Sequence, residues 1–148
     1  MRLIQTLAVA LLLAVSGSAV ARNTIVKITL TEVLEAAKSH PKFNGSLKYY
    51  LKGQATPQVI SSFNTGVSNP KTNAANKSDH EACVWAAVSA LLAFQNQAAE
   101  LGQGINAVVD IVSYYKKVVT VSNNEIECHA GGIMAGVTLK GTYAKIAN

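Results

Sequence analysis

The sequence predicts an α+β domain in which one long helix packs on a small, mainly antiparallel sheet, in the order β-α-β-β-α-β-β. Three observations predict it. A stripe of small and apolar residues repeats at helical spacing between Asp79 and Leu101, and two long strand patterns follow, at 106–121 and 125–140, across an Asn-rich turn. The first 21 residues read as a leader, and the 127 that remain are the size of one ordinary domain, 22–148.

The leader has the layout of a secretory signal peptide. Arg2 supplies the positive start, residues 7–15 form an apolar run, and Ser16-Gly17-Ser18 breaks it. Ala19-Val20-Ala21 then offers an A-x-A site, so cleavage is expected between Ala21 and Arg22. The run is short for a bilayer span, and the cleavage point has no lipoprotein cysteine. The expected location is the periplasm or the medium, as a soluble protein with no membrane span.

The elements follow in order. Residues 24–30 alternate and are rich in β-branched side chains, which predicts a strand. Thr31 is placed to cap a short helix over 32–39, which Pro41 keeps from extending. Residues 47–51 and 58–67 read as two further strands, and the polar, Asn-rich segment 68–77 as a surface loop. Ser78 and Glu81 form a capping box ahead of the long helix, which Gly102 ends. Cys83, Ala86, Ala87, Ala90, Phe94, Ala98 and Leu101 share one face of that helix. In strand 106–121, Ala107, Val109, Ile111, Ser113 and Tyr115 fall on one face, and Val108, Asp110, Val112 and Tyr114 on the other. Ser122-Asn123-Asn124 then turns the chain into 125–140. A bulge at Gly131-Gly132 would reverse the parity there and let Cys128 face the helix.

Charge and cysteine content narrow the function classes. The chain carries 13 Lys and Arg against 8 Asp and Glu; without the leader, which contains Arg2, the balance is +4. The lysines are scattered, with no basic helix or arginine stripe, so nucleic acid is not an expected partner. Cys83 and Cys128 are the two cysteines, and an even count in an exported chain predicts a disulfide between them.

No motif defines a reaction. Gly102–Ala107 spells G-x-G-x-x-A, but it closes a helix and opens a strand, the reverse of a dinucleotide-binding turn. There is no Walker-type phosphate loop and no G-x-S-x-G elbow. Asp110 lies in an apolar strand, where it is expected to accept structural hydrogen bonds rather than act as a catalytic carboxylate. Cys83, Cys128, His129 and His80 form an alternative soft-metal set, though their spacing matches no zinc-finger template. Tyr49, Tyr50, Tyr114, Tyr115 and Trp85 could make a binding surface, though tyrosine pairs on strands are more often half-buried cross-strand contacts.

Three strings carry a resemblance: EACVWAAVSALLAFQNQAAELG from Glu81, NAVVDIVSYYKK from Asn106 and ECHAGGIMAGVTLKG from Glu127, with GVSNPKTN before them. They resemble a family of small exported proteobacterial proteins often labelled "excinuclease ATPase subunit", a label that the missing Walker motif and the leader do not match. The order helix, strand, turn, Cys-x-x-G strand is more distantly similar to the putative heavy-metal-binding family and to the cysteine-bridged domain of the Rcs stress-sensor lipoprotein. The resemblance implies a helix packed on a small sheet and carries no activity with it.

These readings lead to one expectation. The protein is expected to be an exported soluble envelope protein with a non-enzymatic binding or structural, stress-related role, possessing no cofactor and acting as a monomer on an unidentified envelope partner or ligand. The alternative is a metal-binding protein that uses the Cys and His set.

Overall fold

The computed structural model describes residues 22–148. The expected signal peptide, residues 1–21, lies outside the described residues. The fold is α+β, with strand β1 (Thr24–Thr29), helix α1 (Leu30–Lys38), strands β2 (Lys48–Leu51), β3 (Val59–Ser68) and β4 (Lys71–Asn73), helix α2 (Asp79–Leu101), and strands β5 (Ala107–Ser113), β6 (Glu125–Ala130), β7 (Met134–Val137) and β8 (Leu139–Ile146). The strands form two four-stranded sheets, β1-β6-β7-β4 and β2-β5-β8-β3. All pairings are antiparallel except β2 with β5.

Helix α2 sits at the centre, against both sheets and α1. Ser78 caps it by accepting from the Glu81 N–H at 3.1 Å, as the capping box predicts. Ala82, Cys83, Ala86, Ala87, Ala90, Leu91 and Phe94 are fully buried, and the alanines let backbone and strands approach closely. Leu101, assigned to the same stripe, is more than one-third exposed at the frayed end. The Cys83–Cys128 disulfide forms, tying α2 to β6.

Four finer expectations are corrected. The cap of α1 is Thr29, not Thr31: its hydroxyl accepts from the Glu32 N–H at 3.2 Å, because starting the helix at Leu30 buries Leu30, Val33 and Ala37 together. The 68–77 loop contains the short strand β4, which pairs with β7. The 106–121 and 125–140 segments do not form a hairpin. Strand β5 stops at Ser113, the chain turns through Tyr115–Lys117, and β6 joins the other sheet. Lys116 and Lys117 both hold left-handed backbone (φ 49° and 64°), which redirects the chain and leaves Val118, Val119 and Val121 exposed.

The fourth correction concerns the bulge, which lies at Asp110 and not at Gly131-Gly132. Across β8, Val109 faces Thr142 while Val112 faces Lys140, so β5 has one extra residue, and Asp110 takes φ 52°. The parity therefore changes within β5. Ile111 joins Val108 in the main core, while Ala107 and Val109 pack with Ala144, Ile146 and Tyr50 on the far face. Gly131-Gly132 instead belong to the β6–β7 hairpin turn, closed by Gly131 N–H donating to the Met134 carbonyl at 2.7 Å. Cys128 faces α2 through ordinary strand alternation with Ile126 and Ala130.

Candidate functional site

The same alternation puts Glu127 and His129 on the outer face of β6. Residues directly opposite on antiparallel strands share a face, so His129, Gly136 of β7 and Lys71 of β4 form one cross-strand row. Glycine at the middle of the row leaves a gap between the imidazole and the lysine stem. A Cβ built there would lie 3.5 Å from Lys71 Cγ, in ordinary contact, so the gap is set by the absent side chain and not by crowding.

The turn after β5 folds over this row from the other sheet. The Tyr115 ring stacks on His129 with centroids 3.4 Å apart and planes 13° from parallel. That cover explains why His129, on an outer face, is only 9% exposed. Lys116 Nζ lies 5.5 Å from the Tyr115 ring centroid, within cation–π range. The left-handed backbone at Lys116 and Lys117 costs on the order of 1–3 kcal/mol per residue, a strain that the surrounding packing must hold.

The result is a cleft of about 400 Å³, open to solvent, lined by Arg22, Asn23, Lys71, Tyr115, Lys116, His129, Gly131, Met134 and Gly136. Its volume lies within the range of small-molecule sites. Arg22 is committed: its guanidinium donates to both Asp79 carboxylate oxygens at 3.0 and 2.8 Å, and to the Gly131 carbonyl at 2.6 Å. Glu127 accepts from His129 Nε2 at 2.8 Å and also faces Lys27 Nζ at 3.6 Å. Asn23 Oδ1 meets His129 Nδ1 at 3.1 Å. Neither Lys71 nor Lys116 joins an ion pair among the described residues.

This arrangement suits recognition. Both ring nitrogens of His129 face protein oxygens, Glu127 Oε1 and Asn23 Oδ1, so a metal or a transferred proton would have to displace one of these neighbours. Cys83 and Cys128 are joined and wholly buried, which removes both thiolates. His80 pairs with Glu32 at 2.5 Å, bridging α2 to α1. The alternative metal set is therefore not assembled, and the described residues hold no group of three or more His, Cys, Asp or Glu placed to share an ion.

Asp110 is exposed at its bulge beside a second, smaller cleft with Lys52, Thr65 and Lys140. The hydrogen bonds expected at its carboxylate do not form among the described residues, because the bulge turns the side chain outward. The buried phenols are structural. Tyr49 donates to the Leu91 carbonyl at 2.7 Å and Tyr143 donates to Gln97. Burial, with a smaller contribution from Tyr143, pushes the Tyr49 phenol up, and burial pushes that of Tyr143 up to about 12.

His129 and, among the aromatic residues, Tyr115 are marked by the sequence, whereas nothing in it marks their neighbours Asn23, Lys71, Lys116 and Gly136. Only strand register brings His129, Gly136 and Lys71 together, and only the turn brings Tyr115. Comparisons with protein-family models, curated proteins and solved structures gave no match, so the site is read from its own geometry.

Proposed function

We propose that this is an exported, soluble envelope protein that acts by binding and not by catalysis, through the cleft between His129, Gly136 and Lys71. The observation that carries the reading is the Tyr115–His129 stack beside an unfilled glycine floor: a shaped, preorganised recess whose imidazole has protein neighbours at both ring nitrogens. Export is supported by the signal-like leader and by the Cys83–Cys128 disulfide, which suits an oxidising compartment.

Two measurements test it. Osmotic shock of cells making the full chain should release a protein that begins at Arg22; retention in the cytoplasm with residues 1–21 attached would refute export. The mature chain should then be screened by thermal shift against anionic, neutral and cationic small molecules, with mass spectrometry of each recovered compound. At least one compound should raise the Tm of the wild type but not of Tyr115→Ala, and should be recovered unchanged. Turnover of that compound would establish an enzyme instead.

A further inference from the structure

We infer that the cleft binds a phosphate group, carried either by a soluble phosphate monoester or by an anionic phospholipid headgroup; this rests on the binding reading above. The charge balance points there. Arg22 is neutralised by Asp79, and Glu127 lies between His129 and Lys27. Lys71 and Lys116 remain as uncompensated ammonium groups lining the same recess. They approach it from different elements, one on β4 and the other on the turn after β5.

The donor types select the anion. The guanidinium that lines the cleft has both arms of its fork on Asp79, so it does not offer the planar, two-point geometry that matches a carboxylate. The free groups are ammonium point charges, which suit a tetrahedral oxyanion of higher charge. Lys116 lines the cleft with its Nζ 5.5 Å from the Tyr115 ring centroid, so that contact orders part of its side chain before the ligand arrives. Gly136 supplies the space between the two charges and the imidazole, while Met134 adds an apolar wall for the carbon portion of the ligand. Cleavage between Ala21 and Arg22 would add a new α-ammonium at the rim, since Arg22 itself lines the cleft.

The test is calorimetry on the mature chain with inorganic phosphate, with acetate at the same ionic strength for comparison. Saturable binding of phosphate and not of acetate is expected. Lys71→Gln and Lys116→Gln should each weaken it by about tenfold or more, the scale of one charge-assisted contact. Lys48→Gln, on β2 of the other sheet, should leave it within about twofold, as expected for a screened surface charge. Gly136→Val should abolish binding with every charge in place, and circular dichroism should show the fold intact. If that variant does not fold, the lysine variants decide.

Sedimentation with phosphatidic acid–phosphatidylcholine vesicles, against phosphatidylcholine alone, separates the two sources. Lysine-dependent sedimentation assigns the headgroup, and phosphate binding without it assigns a soluble monoester. No saturable phosphate binding, equal acetate binding, or unchanged affinity in the double lysine variant would overturn the inference. If another compound still stabilises the wild type and not Tyr115→Ala, the binding reading survives that failure; if none does, both fall.

Discussion

Tyr115, on the turn that follows β5, stacks almost parallel on His129 of β6, 3.4 Å between ring centroids. The contact closes the outer face of the β1-β6-β7-β4 sheet with that turn. It also fixes Lys116 at the edge of a recess floored by Gly136. The cleft is thus a product of tertiary packing, built where two otherwise separate sheets meet.

The disulfide should account for a large share of the stability. Cys83 and Cys128 are 45 residues apart in sequence. By chain-entropy reasoning, closing such a loop stabilises the fold by about 4 kcal/mol. Both residues are fully buried, so their replacement by Ala adds a packing loss. Urea unfolding of Cys83→Ala/Cys128→Ala should show a midpoint far below that of the oxidised wild type. A midpoint unchanged within error would mean that the helix-to-sheet packing alone carries the fold.

Gly141 should not tolerate alanine. A Cβ there would lie 2.6 Å from Val108 Cγ1 and 3.0 Å from Ile111 Cγ1, the two side chains that the Asp110 bulge brings onto the same face. Overpacking of this kind costs about 1–3 kcal/mol. Gly132→Ala, with nothing within 4 Å of the new carbon, is the matched control and should change stability by less than about 0.5 kcal/mol. Equal effects in chemical denaturation would contradict the bulge position.

Much of the fold was legible in the sequence, and the reason is local. Ser78 and Glu81 mark the start of α2, Gly102 its end, and the alanine stripe its buried face; each signal lies within a few residues of its consequence. The errors came where tertiary structure overrode a local pattern. The alternation through 106–121 was read as one strand because nothing in Tyr-Tyr-Lys-Lys announces two left-handed residues. Asp110 gave no sign of a bulge, while the glycine pair that suggested one served as a hairpin turn. The cleft was the least legible part. The sequence marks His129 only as part of a Cys and His set, and in the fold Cys83 and Cys128 are joined to each other while His129 faces Glu127 and Asn23.

Alkaline pH should destabilise the protein through Tyr49 and Tyr143. Their folded-state pKa values are raised above the ordinary value of 10, so the folded chain keeps phenolic protons that the unfolded chain releases. Stability from this source is complete below pH 10 and falls as pH rises from there through the folded values. Urea midpoints measured from pH 8 to 11.5 should fall above pH 10 in the wild type and fall less steeply in Tyr143→Phe. Parallel curves for the two proteins would remove Tyr143 from this account.

If the recess beside the Tyr115–His129 stack holds phosphate, its own lining should respond first. Titration of ¹⁵N-labelled protein comprising residues 22–148 with inorganic phosphate, followed by NMR, reads this residue by residue. Saturable shifts confined to Lys71, Tyr115, Lys116, His129 and Gly136 are expected, with small or no shifts at Lys52 and Asp110 beside the second cleft. Shifts that do not saturate, or that spread over surface lysines such as Lys48 and Lys52 while the cleft stays silent, would contradict it.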